Sequence, residues 1–124
     1  MKNFEYNNHT VIVTGGGTGI GYVIASSFLK SGANVVVVGR RNNILDTSVK
    51  NLKSEIPNAE GRIIALSYDL SKDTCVDKMF NEALKQFKKI DILINSCGTW
   101  KIKPIIENKK RAKFFIDLSF FMKG

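Results

Sequence analysis

The sequence predicts an α/β fold: a doubly wound parallel sheet of four strands in the order 3-2-1-4, with flanking helices. Three observations carry this. Short β-rich runs alternate with segments of helical period, as strands joined by crossover helices do. One run, Ala33 to Val38, contains four consecutive valines, the continuous apolar stretch of a strand covered on both faces. A glycine cluster separates the first strand from the first helix.

Thr10 to Thr14 is β-rich and stops at Gly15, Gly16 and Gly17. From Gly19 to Lys30 the residues Ile20, Val23, Ile24, Phe28 and Leu29 keep a helical period, and Gly32 follows as a helix stop. After the second strand, Asn42 or Asn43 is expected to cap a helix running toward Glu55, ended by Pro57. Arg62 to Tyr68 reads as the third strand. Ser71 is expected to cap a helix with Val76, Met79, Phe80, Ala83, Leu84 and Phe87 on one face, and Ile90 to Asn95 as the fourth strand. A loop containing Pro104 then leads to an amphipathic C-terminal helix, about 106–123, carrying Phe114, Phe115, Leu118, Phe121 and Met122. Right-handed crossovers give the stated order, with the winding reversing between strands 1 and 4. The glycine turn and the Asn95–Gly98 turn both fall at that crevice.

Composition narrows the function. With 124 residues, 44% hydrophobic and 24% charged, the chain suffices for a single domain. No apolar run approaches the roughly 18 residues of a membrane span, and Met1 to His9 lacks the apolar core of a secretory signal. A soluble intracellular protein, cytoplasmic by default, is expected, with no membrane partner. Cys75 and Cys97 have no metal-ligand spacing and His9 is the sole histidine, so no metal site is expected. The net charge of +8 is compatible with phosphorylated ligands; without an aromatic-interleaved basic stripe, nucleic acid is not the expected partner.

The strongest signal is Thr14-Gly15-Gly16-Gly17-Thr18-Gly19-Ile20-Gly21, between a strand and a helix. Glycines there permit a tight turn and close approach to a pyrophosphate, and the helix N-terminus offers N–H donors and a favourable dipole. No set of these glycines fits G-x-G-x-x-G, whereas Thr14, Gly15, Gly19 and Gly21 fit T-G-x-x-x-G-x-G. In that pattern the chain resembles the short-chain dehydrogenase/reductase family, from about residue 9 to about residue 100. The resemblance implies a single, incomplete Rossmann-type domain over 1–124 and a nicotinamide cofactor.

It also implies roles for particular residues. The turn, including Gly17, Thr18 and Ile20, would lie along the cofactor. Asp69, followed by Leu70, would meet the adenine amino group, a carboxylate accepting from an exocyclic N–H. Asn95-Ser96-Cys97-Gly98 resembles the family's N-N-A-G segment with Asn95 and Gly98 kept, and would steady the central sheet near the cofactor, partly through Thr14. Cys97 takes an alanine-like slot. Where NAD-dependent members carry an acidic residue, this chain has Gly39 followed by Arg40 and Arg41. A guanidinium suits a 2′-phosphate, so NADP is expected and NAD is the less favoured cofactor. Thr18 stands where some NADP enzymes place a second basic residue.

The family's hydride transfer relies on a Tyr-x-x-x-Lys pair that the resemblance places beyond Gly124, so no catalytic residue is assigned. Tyr68 and Lys72 have the right spacing but straddle a strand end and a turn, where residues four apart do not face each other. The family asparagine of the next helix is missing, with Phe121 in its place. The expected function is NADP(H)-dependent reduction of a carbonyl or an activated C=C by a small-molecule oxidoreductase. The triple glycine and Trp100 resemble the dienoyl-CoA and enoyl-CoA reductase branch, which would imply an acyl-CoA-type substrate. The alternatives are a non-catalytic NADP(H)-binding module or an inactive truncated product. The uncovered phenylalanines near the C-terminus favour reading the chain as a fragment. A homo-oligomer is expected of the longer form, and a peroxisomal address stays open for it.

Overall fold

The computed structural model describes residues 5–17, 19–96 and 111–118. The elements are β1 (Thr10–Thr14), α1 (Gly19–Lys30), β2 (Asn34–Gly39), α2 (Asn42–Glu55), β3 (Ile63–Ser67), α3 (Asp73–Phe87), β4 (Ile92–Asn95) and β5 (Phe114–Asp117). The sheet is parallel throughout and runs β3-β2-β1-β4-β5. The expected order is therefore present, with a fifth strand on its β4 edge. No helix among the described residues is long and apolar enough to cross a membrane.

Register explains why every central strand residue is apolar. Ile63, Val35, Val11, Ile92 and Phe114 lie side by side in one row across the sheet, and Ala65, Val37, Val13, Ile94 and Ile116 in the next row of the same parity. On β1 to β4 these rows face α1 and α2, packing with Ala25, Leu29, Leu45, Leu52 and Ile56. The intervening row, Ile64, Val36, Ile12, Leu93 and Phe115, faces α3 and packs on Val76, Met79, Phe80 and Ala83. A slip of one residue would exchange the two faces, so apolar residues in both parities allow pairing and the helices fix it. Cover thins at the β5 edge, where Phe114 is 65% and Ile116 45% exposed.

The C-terminal helix expected over about 106–123 is corrected at Phe114–Asp117, which is a strand; apart from 111–118, that span and the Pro104 loop lie outside the described residues. Phe114-Phe115-Ile116 presents apolar groups on both faces, which serves a two-residue period as well as a helical one, and aromatic and β-branched residues suit a strand. The edge of β4 supplies the partners: the Phe114 and Leu118 amides donate to the Asp91 and Asn95 carbonyls at 2.9 and 2.8 Å.

Two expected caps are also corrected. Neither Asn42 nor Asn43 caps α2: Arg41 holds that position without a side-chain bond, and both asparagines are helical. Ser71 does not cap α3, whose N-cap is Lys72; its hydroxyl and amide donate instead to the Asp69 carboxylate, at 2.7 and 3.1 Å. An upstream aspartate competes for those donors as an Asx-type turn. Gly32 ends α1 as expected, at φ +94°.

The end of the sheet away from the crevice is held by Asp91. Its carboxylate, almost wholly buried, accepts the Thr10 amide at 2.8 Å and lies 3.6 Å from the ammonium groups of Lys89 and Lys113. Asp91→Ala would leave the Thr10 N–H without that acceptor and is expected to cost about 2 kcal/mol in urea denaturation, with Asp91→Asn losing less. Equal losses from both would show that the acceptor oxygen is not what matters.

Candidate functional site

At the C-terminal edge of the sheet the in-register row changes character. Leu66 and Val38 are apolar, but on the three following strands the row continues Thr14, Asn95, Asp117. These three are hydrogen-bonded in series: the Thr14 hydroxyl donates to Asn95 Oδ1 at 2.6 Å, and Asn95 Nδ2 donates to Asp117 Oδ1 at 3.0 Å. An acceptor on one side and a donor on the other fix the orientation of the Asn95 amide. The polar row marks the crevice between β1 and β4.

The glycine turn opens directly from this row. The Gly15 amide donates to the Val38 carbonyl at 2.7 Å, laying the turn against β2. Gly15 has φ +70°, in the left-handed region that favours glycine. Gly21 is required for space: a Cβ there would stand 2.0 Å from the Gly15 carbonyl oxygen and 2.8 Å from Ser96 Oγ. Gly19 is the opposite case, at φ +59° with open space around its Cβ position. Thus α1 starts tight beneath the turn, and its first turn carries no acidic residue to offset the positive end of the helix dipole. Ile20 stands 48% exposed beside it.

Three contributions went unread in the sequence. Gly16 falls on a free position of the motif, yet its Cβ would come within 2.8 Å of Val37 Cγ1. Ser96, read only as a small replacement, donates through its hydroxyl and its amide to the Thr14 carbonyl, at 2.6 and 3.2 Å. Ser48 on α2 donates to the Gly17 carbonyl. The triple glycine was a usable signal for the first; Ser48 and Ser96 carry no pattern of their own.

Along the edge, Arg40 and Arg41 are exposed where β2 passes into α2. Asp69 follows β3 nearby, and its carboxyl is held below the usual range by the Ser71 hydroxyl and amide, with further help from the charges of Arg40 and Lys72. The Ser67 hydroxyl donates to the Arg40 carbonyl at 3.1 Å and the Tyr68 amide to the Gly39 carbonyl at 2.8 Å, so the chain at Arg40 runs beside the segment that leads into Asp69. Leu70 is buried in the α3-side core, so its side chain packs within the fold. Thr18, Cys97 and Gly98 lie outside the described residues.

Tyr68 and Lys72 do not form a proton-relay pair. The Tyr68 hydroxyl donates to the Glu82 carboxylate on α3, which together with burial pushes the phenol up to about 12. A phenol tied to a carboxylate resists giving up its proton.

A family model described as short chain dehydrogenase matches residues 9–120. The chain is 37% identical over 92 residues to a 3alpha-hydroxysteroid dehydrogenase of Mediterraneibacter gnavus, covering 73% of this chain and 36% of that protein. Among solved structures it resembles the C-domain, with NADP, of a bacterial malonyl-CoA reductase: TM-score 0.71, 29% identity, 76% of this chain and 15% of that one. It also resembles a short-chain dehydrogenase/reductase of Brucella melitensis: TM-score 0.80, 25% identity, 98% of this chain and 62% of that one. The chain spans about a third of the length of the curated relatives it matches, 32% and 36% for two of them.

Proposed function

From the chain's membership of the short-chain dehydrogenase/reductase family, which the match over residues 9–120 establishes, we propose that it binds NADP(H) in preference to NAD(H), across the crevice between β1 and β4. Family members are oxidoreductases that use nicotinamide cofactors and small-molecule substrates and are commonly oligomeric. The observation that carries the reading is the approach of Gly21 to the Gly15 carbonyl, which brings a helix N-terminus against a side-chain-free turn. Thr14, Gly15, Gly17, Gly19, Ile20 and Gly21 would lie along the pyrophosphate side, with Asn95 steadying Thr14 beneath them. Asp69 would meet the adenine, and Arg40 with Arg41 the 2′-phosphate. The absence of a carboxylate at Gly39 and the NADP in the malonyl-CoA reductase structure support the phosphorylated cofactor.

When bound, the nicotinamide ring supplies the hydride. The whole protein is proposed to reduce a carbonyl or an activated C=C. Names among the relatives, a hydroxysteroid dehydrogenase and a malonyl-CoA reductase, are compatible with a ketone or an acyl-CoA-type substrate.

Titration of the purified chain with NADPH and with NADH, followed by nicotinamide fluorescence and thermal shift, tests the reading. NADPH is expected to bind at least about tenfold tighter, as a charge-assisted phosphate contact would give. Equal stabilisation by the two cofactors would sink the preference, and no binding would sink the site. NADPH oxidation with ketone and acyl-CoA substrates separates turnover from binding alone.

A further inference from the structure

We propose that Ser48, on a helix the cofactor motif does not include, is a positioning residue that holds the glycine turn in its ligand-ready shape. The inference rests on the dinucleotide-site reading above. Ser48 lies 31 positions after Gly17 and is 5% exposed. Its hydroxyl donates to the Gly17 carbonyl and also lies 2.9 Å from the Ile44 carbonyl. A hydroxyl has one proton to give, so the bond to Gly17 competes with a bond inside α2.

Packing joins the same two segments. A Cβ at Gly17 would stand 3.2 Å from Ile44 Cγ2, 3.5 Å from Leu45 Cδ2 and 3.8 Å from Ser48 Oγ, so the turn is pressed against the first turns of α2. Leu45 also lies 3.5 Å from the Cβ position of Gly39, the residue before Arg40. The turn and the end of β2 therefore rest on one helix. Ile44 and Leu45 give that contact its area, while Ser48 gives it a direction by fixing where the Gly17 carbonyl, and hence the peptide plane after it, points. Amides in a glycine-rich turn cradle an anion only when those planes are set.

The turn serves the part of the cofactor common to NADPH and NADH, so loss of the Ser48 hydroxyl should weaken both by the same factor. A Thr/Val pair isolates the hydroxyl, since the two side chains share a shape. Wild type, Ser48→Ala, Ser48→Thr and Ser48→Val are titrated with NADPH and NADH, with the unliganded melting temperature recorded for each. Ser48→Ala and Ser48→Val are expected to weaken both cofactors by about five- to tenfold, as loss of one positioning hydrogen bond would. Ser48→Thr should stay within about twofold of wild type, with the NADPH-to-NADH ratio unchanged throughout. Wild-type affinity in Ser48→Ala, equal loss in Ser48→Thr and Ser48→Val, or a changed ratio would overturn the role. A wild-type chain that binds neither cofactor would overturn the site reading itself, before any variant is compared.

Discussion

Gly21→Ala is expected to abolish dinucleotide binding and to destabilise the chain by about 3 kcal/mol or more. The added methyl would need to sit 2.0 Å from the Gly15 carbonyl oxygen and 2.7 Å from its carbon, both backbone atoms. Gly15 cannot give way freely, because its amide is bonded to Val38 and a Cβ at its own position would already be 3.2 Å from the Ser96 backbone. Relief must come from lifting the start of α1, which carries Ala25 and Leu29 into the core. Helix and turn would separate, and with them the N–H donors proposed to hold the pyrophosphate. Gly19→Ala is the matched control: it has open space and pays only the left-handed backbone penalty, about 1–2 kcal/mol. Urea denaturation and NADPH titration of both variants decide the matter. Similar losses of stability in the two would show that the closeness of α1 to the turn is not what makes glycine necessary at Gly21.

The difference between those glycines was not legible in the motif, which treats Gly15, Gly19 and Gly21 alike and leaves Gly16 free. What the sequence did convey was periodic or punctuated: the valine run of β2, the stop at Gly32, and the switch from strand to helix across the glycines. Local side-chain chemistry was harder to read. Ser71 looked like a cap because serine before an apolar helical pattern usually is one, but Asp69 two residues earlier claims its donors. Phe114–Asp117 looked helical because it is apolar at short spacing; only the edge of β4, some 20 residues earlier in the chain as Asn95 is from Asp117, gives it a ladder to join. Ser48 and Ser96 act on Gly17 and Thr14 across sequence separations of 31 and 82, where no period exists to detect them. The Thr14–Asn95 bond came through because a family resemblance named both residues. Its extension to Asp117 depends on the β4–β5 register and could come only from the structure.

Arg40→Ala is expected to lower NADPH affinity by about 10- to 100-fold, the range of a lost charge-assisted phosphate contact, while leaving NADH within about twofold. Arg40 is exposed, so part of its effect is screened, and the wild-type preference for NADPH should narrow as salt rises. Its carbonyl accepts from the hydroxyl of Ser67 at 3.1 Å, two residues before the one proposed to meet the adenine, which suits a ribose 2′-phosphate. The converse change is open as well. At Gly39 the three atoms nearest a Cβ would be Leu45 side-chain atoms, at 3.5 to 3.8 Å, which is ordinary contact. Aspartate therefore fits there, and its carboxylate can accept from ribose hydroxyls and repel a 2′-phosphate. Gly39→Asp combined with Arg40→Ala should invert the preference to NADH without loss of stability, measured by paired titrations and urea denaturation. If Arg40→Ala instead weakens both cofactors equally, the arginine contributes general attraction for the pyrophosphate, and the NADP assignment loses its residue. If the double variant binds both cofactors as the wild type does, the end of β2 does not reach the ribose, and the cofactor must lie elsewhere along the crevice.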